Sequence, residues 1–474
     1  MTYSAVNLRA GLLKAGERSL LFDLNGGARS GAELAGEVDR LAGAIVQKVH
    51  AGAKVGLWYR NSFAAVEGFL ATEWIGGTRI PVDPNATAGE AAEVFRSAGV
   101  DLVLADLEHA ALLGKDCLVH DDRQRLAGKA FLPLADVDPE RCLLVYPRTV
   151  TNGAFFGVPL SYRNWAAILD TNIALYRSGR YGVWNESSEL FLSAQQIMHG
   201  TGFLGTFPFL AMGLPQLIAD AFDAAAIVSS MKRHAVTATM FVPVMLKSFV
   251  EAARTSGNTA FSLRHLLYGG GPTAIEDVHA AIDLVGPVLT QVYGRVEGGW
   301  PIAILGPKEH AVMRGESPEL GRSFGRPIAE VDVRLRPLSA GSDEVGELLV
   351  RSAMTSADFS DPNGWCSLGD FVRRDAAGYL YFERRLDRMI NTGYHVYPEE
   401  VEAVIADLHG VSRVRVSGER HPRWGETIVA HVVPTGAVAE AELVAAMRKS
   451  VSARLAKYKV PREFRIVTDL PPLG

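Results

Sequence analysis

The chain has 474 residues, which at roughly 150 per domain gives about three folding units, or one large composite body and a small one. Hydrophobic residues make up 48% and charged residues 21%, and 47 glycines and 23 prolines are spread without a fixed period, so disordered, collagen-like and low-complexity classes are excluded. Forty-eight basic against 53 acidic residues give a net charge of −5 with no long like-charge block, which excludes a nucleic-acid footprint and a polybasic membrane patch and points to a small ligand.

Helical spacing predicts helices over Gly31 to His50, Ser62 to Trp74 and Ala88 to Ser97. Apolar runs at Lys54 to Tyr59 and Val100 to Ala105 read as strands, with a turn at Gly76 to Pro84. Such alternation predicts an α/β fold with a parallel sheet covered by helices. It recurs after residue 160, with helices at Arg163 to Leu175, Phe203 to Met212 and Ala224 to His234. Strands fall at Glu189 to Ser193, Gln216 to Ala219 and Ala238 to Val242, so two similar halves are expected. From Val331 short alternating runs (VDVRL, GELLVRS, GYLYFERR) predict antiparallel hairpins, a third and mostly β module. Beyond a boundary near Arg385 to Asn391 a small α+β domain follows. Its helices are expected at Pro398 to Asp407 and Glu440 to Leu455, and its strands near Val411 to Val416 and Ile428 to Pro434. The expected division is 1–386 and 387–474.

Cys117, Cys142 and Cys366 lie far apart without CxxC spacing, which argues against a disulfide framework and a zinc site. The first residues lack a basic segment followed by an apolar stretch, and the longest apolar run, Gly202 to Pro215, is interrupted by Pro208 and Gly213. A cytoplasmic protein without a membrane span is the expectation.

Five segments carry candidate chemistry. In VYPRTVTNGAFFG, the residues Arg148, Thr149, Thr151, Asn152 and Gly153 offer a cation, hydroxyls, an amide and a flexible backbone that suit phosphate oxygens. A polar hairpin is the alternative. In YGGGP the glycines let a ligand approach the backbone, or simply turn the chain. QVYGRVEGG supplies Tyr293 to stack on a base and Glu297 to hold a magnesium ion; the plainer alternatives are a core tyrosine and a solvated carboxylate. In GWCSLGD, Asp370 can accept from both hydroxyls of a ribose or serve a turn. Arg385 and Asp387 sit at the boundary, where the arginine reaches ribose or phosphate or forms a surface ion pair.

In this order and at these separations, the five segments resemble the adenylate-forming family of acyl- and aryl-CoA synthetases, luciferases and peptide-synthetase adenylation domains. LWYRN, GGTRIPVDP, WGETIVAHVVP and YKVPREFRIVTDLPPLG extend the likeness over nearly the whole chain. The resemblance implies a large N-terminal body and a small mobile C-terminal domain. It implies that residues 148 to 153 face the β- and γ-phosphates of ATP and that Gly270, Gly271 and Pro272 border the adenine and acyl pockets. It places Tyr293 and Gly294 on adenine, Glu297 on Mg²⁺, and Asp370 and Arg385 on the ribose. By the same comparison His199 lies beside the acyl pocket and thiol tunnel, where a core histidine is the alternative, Asp387 is the hinge, and Gly393 lines the pantetheine channel. His199, Gly200, Phe203, Gly271 and Trp300 would form an apolar pocket suited to an aryl or medium aliphatic acid.

The implied activity is that of an AMP-forming acid–thiol ligase. Its substrates would be a small carboxylic acid, ATP and coenzyme A or the pantetheine of an acyl-carrier protein, and its assembly a monomer or homodimer without nucleic acid. The chain departs from the family pattern YTSGTTGxPKG in lacking the loop lysine, with Phe155 or Phe156 in its place, and Arg148 is the candidate substitute. Val296 replaces the threonine of YGxTE, Leu368 the threonine before GD, and Asn391 a hinge-region lysine. The family's acyl-activating lysine is expected a few residues past LPPLG, where the given sequence stops. These departures leave open a divergent homologue that binds nucleotide or acyl ligand with little or no turnover, and an enzyme that hands activated acid to another acceptor.

Overall fold

Serine and threonine caps start the first helices where the hydrophobic periodicity begins. In the computed structural model Ser30 and Glu33 form a capping box at helix Gly31–Val46, and Thr87 and Glu90 form another at Ala88–Ala98. The structure describes residues 4–114, 117–122, 128–151, 154–257, 260–337, 345–385, 388–421, 425–436 and 439–471.

The early alternation builds a six-stranded sheet. Its order is Cys117–Val119, Leu102–Ala105, Lys54–Trp58, Thr78–Pro81, Cys142–Thr151 and Ala154–Ser161; only the last pair is antiparallel. The second half builds a larger sheet around parallel strands that include Phe191–Ser193, Ala238–Phe241, His265–Gly269 and Leu289–Arg295. The β module expected as a separate unit continues this second sheet. Gly299–Leu305 pairs with Ser323–Pro327, and that strand pairs with Leu380–Arg385, so the hairpins extend one sheet of 13 strands.

Helix Phe63–Trp74 is buried at every position and Gly200–Met212 at nearly every one, as expected of helices covered on all sides. Phe69 meets Phe203 and Phe207 at 6.0 Å, and Trp165 meets the same two rings at 5.3 and 5.1 Å. Fully buried Arg79 lies 5.4 to 5.5 Å over Phe69, Trp165 and Phe207 and pairs with equally buried Glu73.

The small domain packs helices Pro398–Ala406 and Glu440–Arg454 on a three-stranded sheet of Val411–His421, Gly425–Pro434 and Glu463–Ile466. It has its own core, in which Val401, Val404, Val416, Met447 and Val451 take part. The expected 386/387 boundary, and with it Asp387, lies outside the described residues.

The polar stretch after Tyr146, open above between a phosphate-facing segment and a polar hairpin, is a β-hairpin of Cys142–Thr151 and Ala154–Ser161; helix Tyr162–Arg177 begins only after it. The period-two pattern is present over the second strand: Val158 and Leu160 are buried, while Gly157, Pro159 and Ser161 between and beside them are only half-buried. The hairpin reading left open above is the one adopted.

Candidate active site

A cleft of 2690 Å³ lies between the body and the small domain, with both contributing to its wall. Gly270, Gly271 and Pro272 enter it directly after strand His265–Gly269, and Gly270 takes φ +83°, a left-handed conformation that glycine adopts without strain.

Next to them, Tyr293 and Gly294 end strand Leu289–Arg295. The Tyr293 hydroxyl donates to Asp370 Oδ2 at 2.5 Å, and Arg385 Nε donates to Asp370 Oδ1 at 2.6 Å. Asp370 is fully buried, and Asp370 and Arg385 are opposed across neighbouring strands. Burial, followed by the Asp370 charge, pushes the Tyr293 hydroxyl well above its usual pKa, so it stays a donor. Arg295, from the same turn, lies 3.5 Å from Asp370 Oδ1 and 3.5 Å from Glu297 Oε2. The segments expected to hold base and ribose are therefore contiguous.

Arg148 reaches across from the hairpin. Its Nη1 donates to Glu297 Oε1 at 2.6 Å and its Nε to the Tyr397 hydroxyl of the small domain at 2.7 Å. Both Glu297 oxygens thus face guanidinium groups, and among the described residues no group of three or more His, Cys, Asp and Glu side chains could hold a metal ion. The arrangement does not fit the magnesium carboxylate expected at Glu297, because cations of the protein stand where the metal would coordinate. Thr149 and Thr151 fall on the hairpin strand, and Asn152 and Gly153 lie outside the described residues.

Also on the cleft, His199 precedes helix Gly200–Met212 as its N-cap residue. Its Nδ1 is 2.9 Å from the Tyr146 hydroxyl, and its Nε2–H donates to Asp83 Oδ2 at 3.1 Å. Burial raises the Asp83 pKa, but His199 and the Asn85 amide outweigh it and leave the carboxyl lowered; burial and then the Asp83 charge raise the Tyr146 hydroxyl. This is no plain core histidine: it borders the cleft with its ring 6.1 Å from Tyr394 of the small domain. Gly200 and Trp300 also line the cleft. Phe203 does not. It stacks at 6.0 Å behind Trp300 and faces Trp165 and Phe69, so it supports the pocket wall from the core. Thr201 and Leu204 of that helix reach the cleft instead.

The small domain closes the mouth. Asn391 Nδ2 donates to the Gly270 carbonyl at 3.0 Å, Gly393 lines the cleft, and Tyr394 stacks on Tyr458 at 4.5 Å. Lys459 donates to Glu90 of the body at 2.8 Å and lies 2.7 Å from Glu400 of its own domain. Sequence reasoning passed over Asp83, Arg295, Tyr397 and Lys459. Arg295 and Tyr397 lie inside segments singled out for other residues, whereas only the fold brings Asp83 to His199.

The sequence matches the AMP-binding enzyme family over residues 14–357 and the AMP-binding enzyme C-terminal domain over 400–472. It is 29% identical to a feruloyl-CoA synthase of an Amycolatopsis species over 484 residues, covering 95% of this chain and 92% of that one. It is also 29% identical to a medium/long-chain-fatty-acid–CoA ligase of Mycobacterium tuberculosis, over 64% of this chain and 55% of the relative, so the chain spans about half the length of that relative. Among solved structures, an amide bond synthetase of Marinactinospora thermotolerans superposes with a TM-score of 0.84 at 27% identity, covering 99% and 96% of the chains. The o-succinylbenzoate CoA synthetase of Bacillus subtilis, 22% identical and covering 99% and 95%, gives 0.85 when bound with its product analogue and 0.69 with its acyl-adenylate. Among the described residues no helix is long and apolar enough to cross a membrane.

Proposed function

The chain belongs to the AMP-binding enzyme family, and from that premise we propose that it is an AMP-forming acid–thiol ligase. A carboxylate attacks the α-phosphorus of ATP, pyrophosphate leaves, and the acyl group passes from the adenylate to a thiol, that of coenzyme A or a carrier-protein pantetheine. The observation that carries this reading is the chain of contacts Tyr293–Asp370–Arg385, in which buried Asp370 holds Tyr293 and Arg385 on the wall of a cleft that they share with Gly270 and Gly271 and that a second domain closes.

In this reading Tyr293 and Gly294 receive the adenine, and the Asp370–Arg385 pair serves the ribose, with Arg385 on the cleft wall and Asp370 buried behind it. Gly200 and Trp300 border the acyl group, with no cation placed for a second carboxylate, which favours an aryl or medium aliphatic acid. His199, held by Asp83 and Tyr146, faces the carbonyl that the acceptor attacks, Gly393 lines the acceptor's route, and Asp387 is the pivot. The domains divide at 386/387. The protein acts by positioning reactants and neutralising charge.

Pyrophosphate release with a panel of carboxylic acids, on the chain as encoded to its natural terminus, tests the proposal. Release with an aryl or medium aliphatic acid supports it. No release with any acid, alongside thermal stabilisation by ATP, overturns it in favour of a nucleotide-binding homologue. A second reading, an amine acceptor in place of the thiol, is favoured by the likeness to the amide bond synthetase and by the hydrogen-bonded His199, which offers a route for the proton an amine must lose. Mass spectrometry of products formed with coenzyme A and with amines decides between them.

A further inference from the structure

Three guanidinium groups, those of Arg148, Arg295 and Arg385, line one stretch of the cleft and share two carboxylates, Glu297 and Asp370. Asp370 lies fully buried behind them, so the cleft meets three cations and the single carboxylate of Glu297. Two of the arginines converge on that carboxylate, one at each oxygen. In the hairpin, the register sets Thr149 opposite Phe156 and Thr151 opposite Ala154. Antiparallel pairing of this kind turns backbone groups towards the partner strand, away from the successive N–H array that binds anions. Charge for an anion at this spot therefore comes from side chains.

We propose that Arg148 and Arg295 form an oligophosphate clamp. Their guanidinium groups take the β- and γ-phosphates of a nucleoside triphosphate, and later the pyrophosphate, directly, and Glu297 is the positioning residue that holds the two arginines in place. The inference deepens the proposed function and rests on it for the identity of the nucleotide. A guanidinium offers a planar fork of donors that matches two phosphate oxygens at once, which suits it to replace both an ammonium and a metal bridge. Arg385, committed to Asp370, stays with the ribose side.

Calorimetric titration of the full chain with ATP, AMP and inorganic pyrophosphate, each with EDTA and with magnesium, tests the clamp. In EDTA, ATP binds at least tenfold more tightly than AMP. Arg148→Gln and Arg295→Gln each remove most of that excess while AMP affinity, the control for folding, stays within twofold; Arg148→Lys retains part of it. Glu297→Gln keeps the excess measured with magnesium within about threefold, which a metal ligand would not. An excess that appears only with magnesium and disappears in Glu297→Gln overturns the clamp, as does absent pyrophosphate binding beside intact AMP binding. Absent AMP binding counts against the nucleotide reading, and pyrophosphate binding that Arg148→Gln abolishes still supports the clamp.

Discussion

Arg148 and Tyr397 belong to different domains, yet Arg148 Nε donates to the Tyr397 hydroxyl at 2.7 Å and the guanidinium carbon stands 5.0 Å from the centre of the tyrosine ring. The hairpin that carries Arg148 is thereby tied to the small domain. A hydrogen bond with a charged partner contributes about 1.5–3 kcal/mol. Tyr397→Phe is therefore expected to slow acyl transfer to the acceptor by roughly tenfold or more while adenylate formation is spared. Single-turnover measurements of the two half-reactions check this, and equal loss in both refutes it.

Gly271 offers a steric version of the same test. A Cβ at this position would stand 2.7 Å from Asn391 Nδ2, the atom that donates to the Gly270 carbonyl. Gly271→Ala forces Asn391 aside and breaks that bond, about 0.5–1.5 kcal/mol. The expected result is a two- to tenfold loss in the step that uses the docked arrangement, with the melting temperature nearly unchanged by calorimetry.

Stability depends on the buried pair of Glu73 and Arg79, both with side chains 0% exposed. Removing one partner strands a charge, so Glu73→Gln is expected to destabilise the body by about 3–5 kcal/mol, whereas Glu73→Leu with Arg79→Met costs much less. Urea unfolding of the three chains measures the difference.

Acid should act through Glu189. Burial raises its carboxyl, but His265, Thr237, Arg264 and the Asn185 amide bring it down to about 2, against about 4.3 in an unfolded chain. The unfolded state takes up a proton that the folded state refuses. The stability Glu189 contributes is therefore complete above about pH 4.3 and is lost as pH falls towards 2. In that window the unfolding free energy of the native chain should fall with pH more steeply than that of Glu189→Gln, by up to about 1.4 kcal/mol per pH unit.

The α/β body and small domain were legible because hydrophobic period and capping residues agree along the chain, as at Ser30 with Glu33 and Thr87 with Glu90. The hairpin after Tyr146 was less legible, since polar Arg148, Thr149 and Thr151 mask the alternation that Val158 and Leu160 carry on the other strand. Tyr293, Asp370 and Arg385 were read individually, and the structure brings them within hydrogen-bonding reach. Asp83 was beyond sequence reasoning: it stands 116 positions from His199, in a turn where an aspartate needs no further explanation. Phe203 was misplaced because a helix buried all round gives periodicity no polar face to mark its orientation.

Lys459 links Glu90 and Glu400, but unequally, because Lys459 and Glu400 travel on the same domain. In the domain rotation that the proposed function calls for, the ammonium keeps one counter-ion and only Glu90 is surrendered to water. Glu90 is itself tethered through its second oxygen to the Thr87 amide at the start of helix Ala88–Ala98. The contact thus separates along a line that leaves a neutral pair on the moving side and a solvated, helix-anchored anion on the fixed side, ready to recapture the same cation on return.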